Sequence, residues 1–171
     1  MLRRRALAGT LSVLCGAAIG APSRSGEVFE AFFRQFGEAG RTYVLLESVL
    51  DATASPGASR ALLREFPIRR TRHRASDFGN VSVRLLTEAE YVDIFSDGRS
   101  CSGGWNEFHS RFPNAKVLLQ FSAVRFTKGG AEAHVLVKIG SACLGGTLDR
   151  YRFLHDGSVW QFADAENLGR A

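Results

Sequence analysis

The sequence predicts an α+β domain in which short N-terminal helices pack on a C-terminal curved antiparallel sheet of about four strands. Apolar residues at helical spacing dominate the first two thirds of the chain, most clearly in residues 26–37. In the last third the period changes to two, and residues 131–139 alternate strictly. Turns at 128–130 and 156–157 separate the predicted strands. Helices first and a meander afterwards is the order typical of this fold class.

The first 21 residues have the pattern of a cleaved secretory signal peptide. Arg3, Arg4 and Arg5 precede a stretch of about 14 uncharged residues, and Gly20 and Ala21 end it. This apolar stretch is shorter than the roughly 20 residues that a membrane-spanning helix needs. The sequence therefore predicts a signal peptide over 1–21 and a single α+β domain over 22–171, with no stable membrane span after cleavage. An uncleaved N-terminal anchor is the alternative.

The net charge of the predicted mature chain is small. The whole chain has 22 Lys and Arg against 17 Asp and Glu, and three of the arginines lie in the leader. Their removal leaves 19 basic residues and lowers the formal net charge from +5 to +2. A charge of this size gives no basis for nucleic-acid binding.

Two cysteines, Cys101 and Cys143, remain after the predicted cleavage. An even number of cysteines in an exported chain indicates a disulfide, which would join the helical layer to the sheet. The bond would close a loop of about 43 residues and stabilise the fold by roughly 4 kcal/mol. Two free buried thiols are the alternative. Neither cysteine belongs to a C-x-x-C pair, so no metal or redox site is predicted.

Short strands and helices are predicted to alternate between residues 43 and 112. Residues 43–50 are predicted as a strand, and Ser55-Pro56 opens a short helix that runs to Phe66. Residues 81–85 alternate like a strand, and Thr87-Glu88-Ala89-Glu90 has the form of a capping box. A loop over 98–104 is expected to carry Cys101. Another helix then follows, with Trp105, Phe108 and Phe112 on one face.

The meander accounts for the rest of the chain. Residues 117–127 are predicted to form a long, bent strand. The alternating strand 131–139 follows, and a wide turn over 140–146 carries Cys143. Residues 147–154 and 158–162 complete the sheet, and the tail from Ala163 is expected to be frayed.

No residue pattern indicates catalysis, a metal site or a cofactor. The histidines His73, His109, His134 and His155 do not pair at zinc-ligand spacing, and His134 is expected to face solvent. The acids Asp93, Asp97 and Glu107 could form a carboxylate pair only if the fold brings them together.

Two groups of side chains are candidates for binding. The aromatic residues Tyr151, Phe153, Trp160 and Phe162 could line a concave face of the sheet, or could instead face the helices as core. The segment Arg60–Arg74 is rich in arginine, and Arg69, Arg70, Arg72 and Arg74 could hold an anionic polymer or surface. A solvated face that forms ion pairs elsewhere is the alternative for these arginines.

Residues 26–162 resemble an uncharacterised family of small exported bacterial proteins. Gly104 to Pro113 resembles the family's G-W-x-x-F-x-x-x-[FY]-P block, with His109 where the family has tyrosine. Further similar stretches lie at 71–80, 88–95, 122–126, 131–137, 143–146 and 156–160. The resemblance implies export and an α+β fold, and it implies no activity.

The sequence therefore predicts a secreted or periplasmic protein whose partner is unknown. A non-enzymatic module that binds a ligand or a protein, such as an envelope component, is favoured. A small secreted hydrolase is one alternative, and binding of anionic cell-surface polymer through Arg60–Arg74 is another.

Overall fold

The structure is a computed structural model that describes residues 23–38, 42–50, 66, 72–95, 100–143 and 145–170. The predicted leader over 1–21, the helix expected to run to Phe66 and most of the arginine-rich segment lie outside these residues. In the described part of the chain there are three α-helices and seven strands. The helices are α1 (Arg24–Phe36), α2 (Glu88–Phe95) and α3 (Cys101–Arg111). The strands are β1 (Tyr43–Leu46), β2 (Val83–Leu86), β3 (Leu118–Phe121), β4 (Arg125–Thr127), β5 (Glu132–Ala142), β6 (Gly145–His155) and β7 (Trp160–Arg170).

Helix α1 forms where the apolar spacing predicts it. The Ser23 hydroxyl accepts a hydrogen bond from the Gly26 amide at 3.1 Å, which satisfies one of the free donors of the first turn. The helix ends at Gly37, whose amide donates to the Phe33 carbonyl at 2.8 Å. Its apolar face lies against the sheet and is buried there.

The α+β fold class is confirmed, but the sheet is larger than predicted. It has seven strands, in the order β2-β1-β3-β5-β6-β7 with β4 paired to β5. Strand β1 lies parallel to both β2 and β3, and the remaining pairs are antiparallel. Among the described helices only α1 precedes the sheet, because α2 and α3 form the connection between β2 and β3. Strands β2 and β3 both run parallel to β1, which lies between them, so a hairpin cannot join them and the helices are not confined to the N-terminus.

The C-terminal tail is part of the sheet, and the expectation of a frayed end from Ala163 is wrong. Strand β7 pairs with β6 almost to its end, from Trp160 opposite His155 to Arg170 opposite Thr147. Opposite charges meet across the two strands, where Arg150 contacts Glu166 and Arg152 contacts Asp164. Cross-strand pairs of this kind favour pairing, and they explain how so polar a segment forms a strand.

The two faces of the sheet have separate cores. The larger core lies between α1 and the sheet and centres on phenylalanines such as Phe29, Phe32 and Phe121. On the opposite face, α2 and α3 pack over Val44, Leu86 and Leu118 in a smaller core. A third cluster lies on this second face, and it contains Leu50, Phe66, Leu136 and Leu148. None of the described helices is long and apolar enough to cross a bilayer.

Candidate functional site

A cavity of about 590 Å³ lies on the sheet face opposite α1. Helices α2 and α3 form its wall, and strands β3, β5 and β6 form its floor. The residues that line it include Leu46, Ser48, Glu88, Tyr91, Phe95, Cys101, Trp105, Leu118, Gln120, Lys138, Gly140, Ala142 and Gly146. This volume is in the range of sites that hold small organic ligands.

Local hydrogen bonds fix the start of each wall helix. At α2 the Glu90 amide donates to the Thr87 hydroxyl at 3.2 Å, and the Thr87 amide donates to the Glu90 carboxylate at 2.9 Å. This is the capping box that the sequence predicts. At α3 the Ser100 hydroxyl accepts from the Gly103 amide at 3.2 Å. The predicted loop over 98–104 is therefore wrong in part, because α3 already begins at Cys101.

A glycine sets the spacing between the two wall helices. A Cβ atom on Gly104 would lie 2.9 Å from Cδ1 of Phe95, closer than real side chains approach. The absence of a side chain at this position lets α2 and α3 pack together and brings their aromatic rings into contact.

The aromatic rings of α2 and α3 form one continuous wall. The centroids of Tyr91 and Phe95 are 4.9 Å apart, and those of Phe95 and Trp105 are 5.2 Å apart with an edge-on geometry. Trp105 also contacts Phe108, which is fully buried beneath it. The three outer rings are only partly buried, so their faces are available to a flat ligand.

Two glycines keep the floor of the cavity open. Gly140 on β5 and Gly146 on β6 are register partners, so neither strand places a side chain at that point. A Cβ atom on Gly140 would lie 3.3 Å from Cζ2 of Trp105. The edge of the indole ring therefore lies against the backbone of β5 at Gly140, where there is no side chain.

The cavity has few polar side chains. The Gln120 amide nitrogen donates to the Ser48 carbonyl at 3.2 Å and to the Ser48 hydroxyl at 3.1 Å. Lys138 is the register partner of Gln120 on the neighbouring strand and is partly buried. Glu88 lies at the exposed start of α2. The lining as a whole combines apolar and polar surface in similar proportion, and placed polar groups of this kind fix the orientation of a ligand in small-molecule sites.

The predicted disulfide between Cys101 and Cys143 is confirmed, with Cα atoms 5.5 Å apart. It joins the first turn of α3 to the connection between β5 and β6, and Cys101 itself lines the cavity. This connection is tighter than the predicted turn over 140–146, because β5 continues through Ala142 and β6 begins at Gly145. The bond therefore links the cavity's wall to its floor.

The four histidines are dispersed over the described part of the chain. A ring nitrogen of His109 lies 3.1 Å from the Ala115 carbonyl, and His155 accepts from the Gly157 amide at 3.2 Å. Among the described residues, neither imidazole lies within hydrogen-bonding distance of a carboxylate. His134 does have one, since its Nε2 lies 2.7 Å from the buried Glu132. The expectation that His134 faces solvent is wrong, because this face of β5 is covered.

His73 lines a second cavity of about 310 Å³ with Ser25 and Asp77. Its side chain is buried, and its Nε2 lies 3.0 Å from the Phe121 carbonyl, to which it must donate. Burial lowers the pKa of the imidazole, against opposing contributions from the Phe121 carbonyl and Asp77. With Nε2–H bound to a carbonyl, this nitrogen cannot accept a proton from a serine, so the group has no triad geometry.

The aromatic residues that could have lined a binding surface lie mostly in the core. Tyr151, Phe153 and Trp160 are buried against the α1 side, and Phe162 packs partly buried beside them. Burial raises the pKa of Tyr151 to about 12. The four aromatic side chains therefore belong to the core on the α1 side and do not line a concave binding surface, which was the alternative that the sequence left open.

Three of the charged candidates that the structure describes form ion pairs, namely Asp93, Glu107 and Arg72. Asp93 and Glu107 each lie 2.7 Å from Arg111. Both carboxylates therefore form an ion pair with the same guanidinium group and do not act together as a carboxylate pair. Arg72 lies 3.7 Å from Glu47, and Arg74 is exposed. Arg69, Arg70 and Asp97 lie outside the described residues. In the described part of the chain, no three His, Cys, Asp or Glu side chains converge as metal ligands.

No protein-family model, curated protein or solved structure matches this chain. The resemblance to a family of exported bacterial proteins therefore stays a prediction, and function has to be argued from the cavity. Its lining was not among the predicted binding residues. Phe95 and Trp105 each fall at helical spacing with other apolar residues of their own helix, so the sequence marks them as ordinary core residues. The glycines at 140 and 146 were the sequence feature that could have indicated the cavity.

Proposed function

We propose that this protein is an exported, non-enzymatic binding module whose ligand is a flat, largely apolar small molecule. The observation that carries the proposal is the 590 Å³ cavity with its wall of partly buried aromatic rings. Such rings offer large contact areas, and their rigidity limits the entropy that is lost on binding.

The disulfide and the leader support the export part of the proposal. Disulfides persist in oxidising compartments, such as the bacterial periplasm and the extracellular space. The first 21 residues have the charge and hydropathy pattern of a signal peptide. The two features are independent, because one is a bond in the folded domain and the other a pattern in the leader.

The hydrolase alternative has weaker support. The imidazoles closest to carboxylates, His134 and His73, do not line the 590 Å³ cavity. A general base has to reach the substrate directly or through one water. Binding of anionic polymer would depend mainly on Arg69 and Arg70, which lie outside the described residues.

The uncharged fluorophore N-phenyl-1-naphthylamine tests the proposal, since its emission rises in apolar surroundings. We expect saturable binding to the oxidised protein and roughly tenfold weaker binding to Trp105→Ala. Phe36→Ala is the matched control, because Phe36 is an exposed aromatic residue on α1, on the other side of the sheet. Circular dichroism would establish that both variants fold. Absence of binding, or equal binding by both variants, would refute the proposal.

A further inference from the structure

Lys138 places a positive charge on the floor of the aromatic cavity. It lies within β5, a strand with hydrogen-bonded neighbours on both sides, and its register partners are Gln120 on β3 and Leu148 on β6. Leu148 is buried, and the lysine is itself partly buried. Lys138 also lines the 590 Å³ cavity, so its positive charge is available to a ligand there.

Lys138 has no ion-pair partner among the described residues, unlike the arginines that follow on β6. Arg150 contacts Glu166 and Arg152 contacts Asp164. Glu88 lines the same cavity, but it makes no ion pair with Lys138. An anion in the cavity could therefore form a charge-assisted contact with Lys138 without displacing an acidic side chain from it.

The distance between Lys138 and Trp105 indicates how far the charged group of a ligand would lie from its ring system. The edge of the Trp105 indole lies against Gly140, which follows Lys138 by two residues on β5 and so shares its face of the sheet. Two residues of extended chain span about 7 Å. A fused-ring system could therefore stack on the aromatic wall while an acidic substituent reaches the ammonium group.

We infer that the ligand is a flat apolar molecule with a single carboxylate, whose anionic group pairs with Lys138. This inference rests on the proposed function, because it assigns the charge of a ligand in the same cavity. A monoanion fits better than a phosphate monoester. Lys138 supplies one positive charge, and Glu88 at the rim opposes a second negative one.

Two probes that differ only in charge test the inference. Naphthalene-2-carboxylate and naphthalene-2-carboxamide would compete with N-phenyl-1-naphthylamine for the oxidised protein. We expect the carboxylate to bind about tenfold more tightly than the amide, since a charge-assisted contact is worth that much. The advantage should decrease as the salt concentration rises.

Variants at two positions sharpen the test. Lys138→Gln should remove the preference for the carboxylate, measured as the ratio of the carboxylate and carboxamide affinities within the same folded variant. Lys138→Arg should keep most of the preference, and Glu88→Gln should increase it a few-fold. If Lys138→Gln does not fold, the ratio of the two probes in the wild-type protein still decides the question.

The outcomes separate the two proposals. If the uncharged fluorophore does not bind, the binding function itself fails. If it binds, but the carboxylate and the amide compete equally, only the inference about charge is overturned. A carboxylate preference that survives in a folded Lys138→Gln variant would also overturn it, because the anion would then lie elsewhere.

Discussion

The two faces of the sheet are built from alternate residues of the same strands, yet they differ in packing. On the α1 face, Ala133, Val135 and Val137 of β5 are fully buried beneath phenylalanines of the helix. On the other face, Leu136 of β5 belongs to one apolar cluster, and a second cluster lies on β1, β2 and β3 beneath α2 and α3. Lys138 and Gly140 lie on β5 where neither cluster covers the strand, and the cavity opens at that point.

This difference shows how one sheet can carry a densely packed core on one face and an open cavity on the other. The face filled by interlocking aromatic rings supplies most of the buried apolar area, and its cavity beside His73, at about 310 Å³, is smaller than the one on the opposite face. A face with two incomplete clusters contributes less stability and leaves a concave surface between them. The predictions below test whether the two faces are this distinct.

The largest expected effect is loss of the phenylalanine at the centre of the α1 face. The Phe121 ring lies 5.3 Å from Phe29 and 5.1 Å from Phe32, and it is fully buried. Phe121→Ala should lower the free energy of unfolding by about 3–5 kcal/mol, measured by urea denaturation. Trp105→Ala on the other face should cost clearly less, because that ring is partly exposed. Equal losses would show that the two faces do not divide the roles.

Removal of the disulfide should have the next largest effect, and it acts on the cavity face. The double variant Cys101→Ser/Cys143→Ser should lose about 2–4 kcal/mol of stability, because its unfolded chain is less constrained. Fluorophore binding should weaken as well, since the bond holds α3 against the β5–β6 connection. Denaturation with and without a reductant gives the same comparison in the wild-type protein. An unchanged urea midpoint would contradict this role for the bond.

The smallest expected effect is a dependence on pH that originates on the α1 face. The pKa of His73 is lowered from its usual 6.5, mainly by burial, so protonation favours the unfolded state. Its contribution to stability is complete above pH 6.5 and is lost as the pH falls below 6.5 towards the lower folded-state pKa.

For one proton the slope is at most about 1.4 kcal/mol per pH unit. His73→Gln should reduce the decline in stability between neutral and mildly acidic pH, as urea denaturation at a series of pH values would measure. Fluorophore binding at neutral pH should not change, because His73 lies on the other face. A variant with the same slope as the wild-type protein would show that other groups cause the decline.

Features of the fold that depend on residues close together in the sequence could be predicted from the sequence. The spacing of Phe29, Phe32 and Phe33 predicts α1, the residues 87–90 predict the start of α2, and strict alternation predicts β5. Strand β1 gave a weaker signal, because a strand covered on both faces has no polar side to mark it. The extent of β7 was missed because its pairing depends on charges that lie on β6.

The candidate site could be predicted only in part, and the disulfide marks the boundary. An even cysteine count in an exported chain is a property of composition, so the pairing of Cys101 with Cys143 followed from the sequence alone. The cavity beside that bond did not follow. It arises because Gly140 and Gly146 come into register, Gly104 lets two helices approach, and Lys138 falls between two clusters. These are contacts between residues far apart in the chain, and their effect on shape and charge exists only after the sheet and helices pack together.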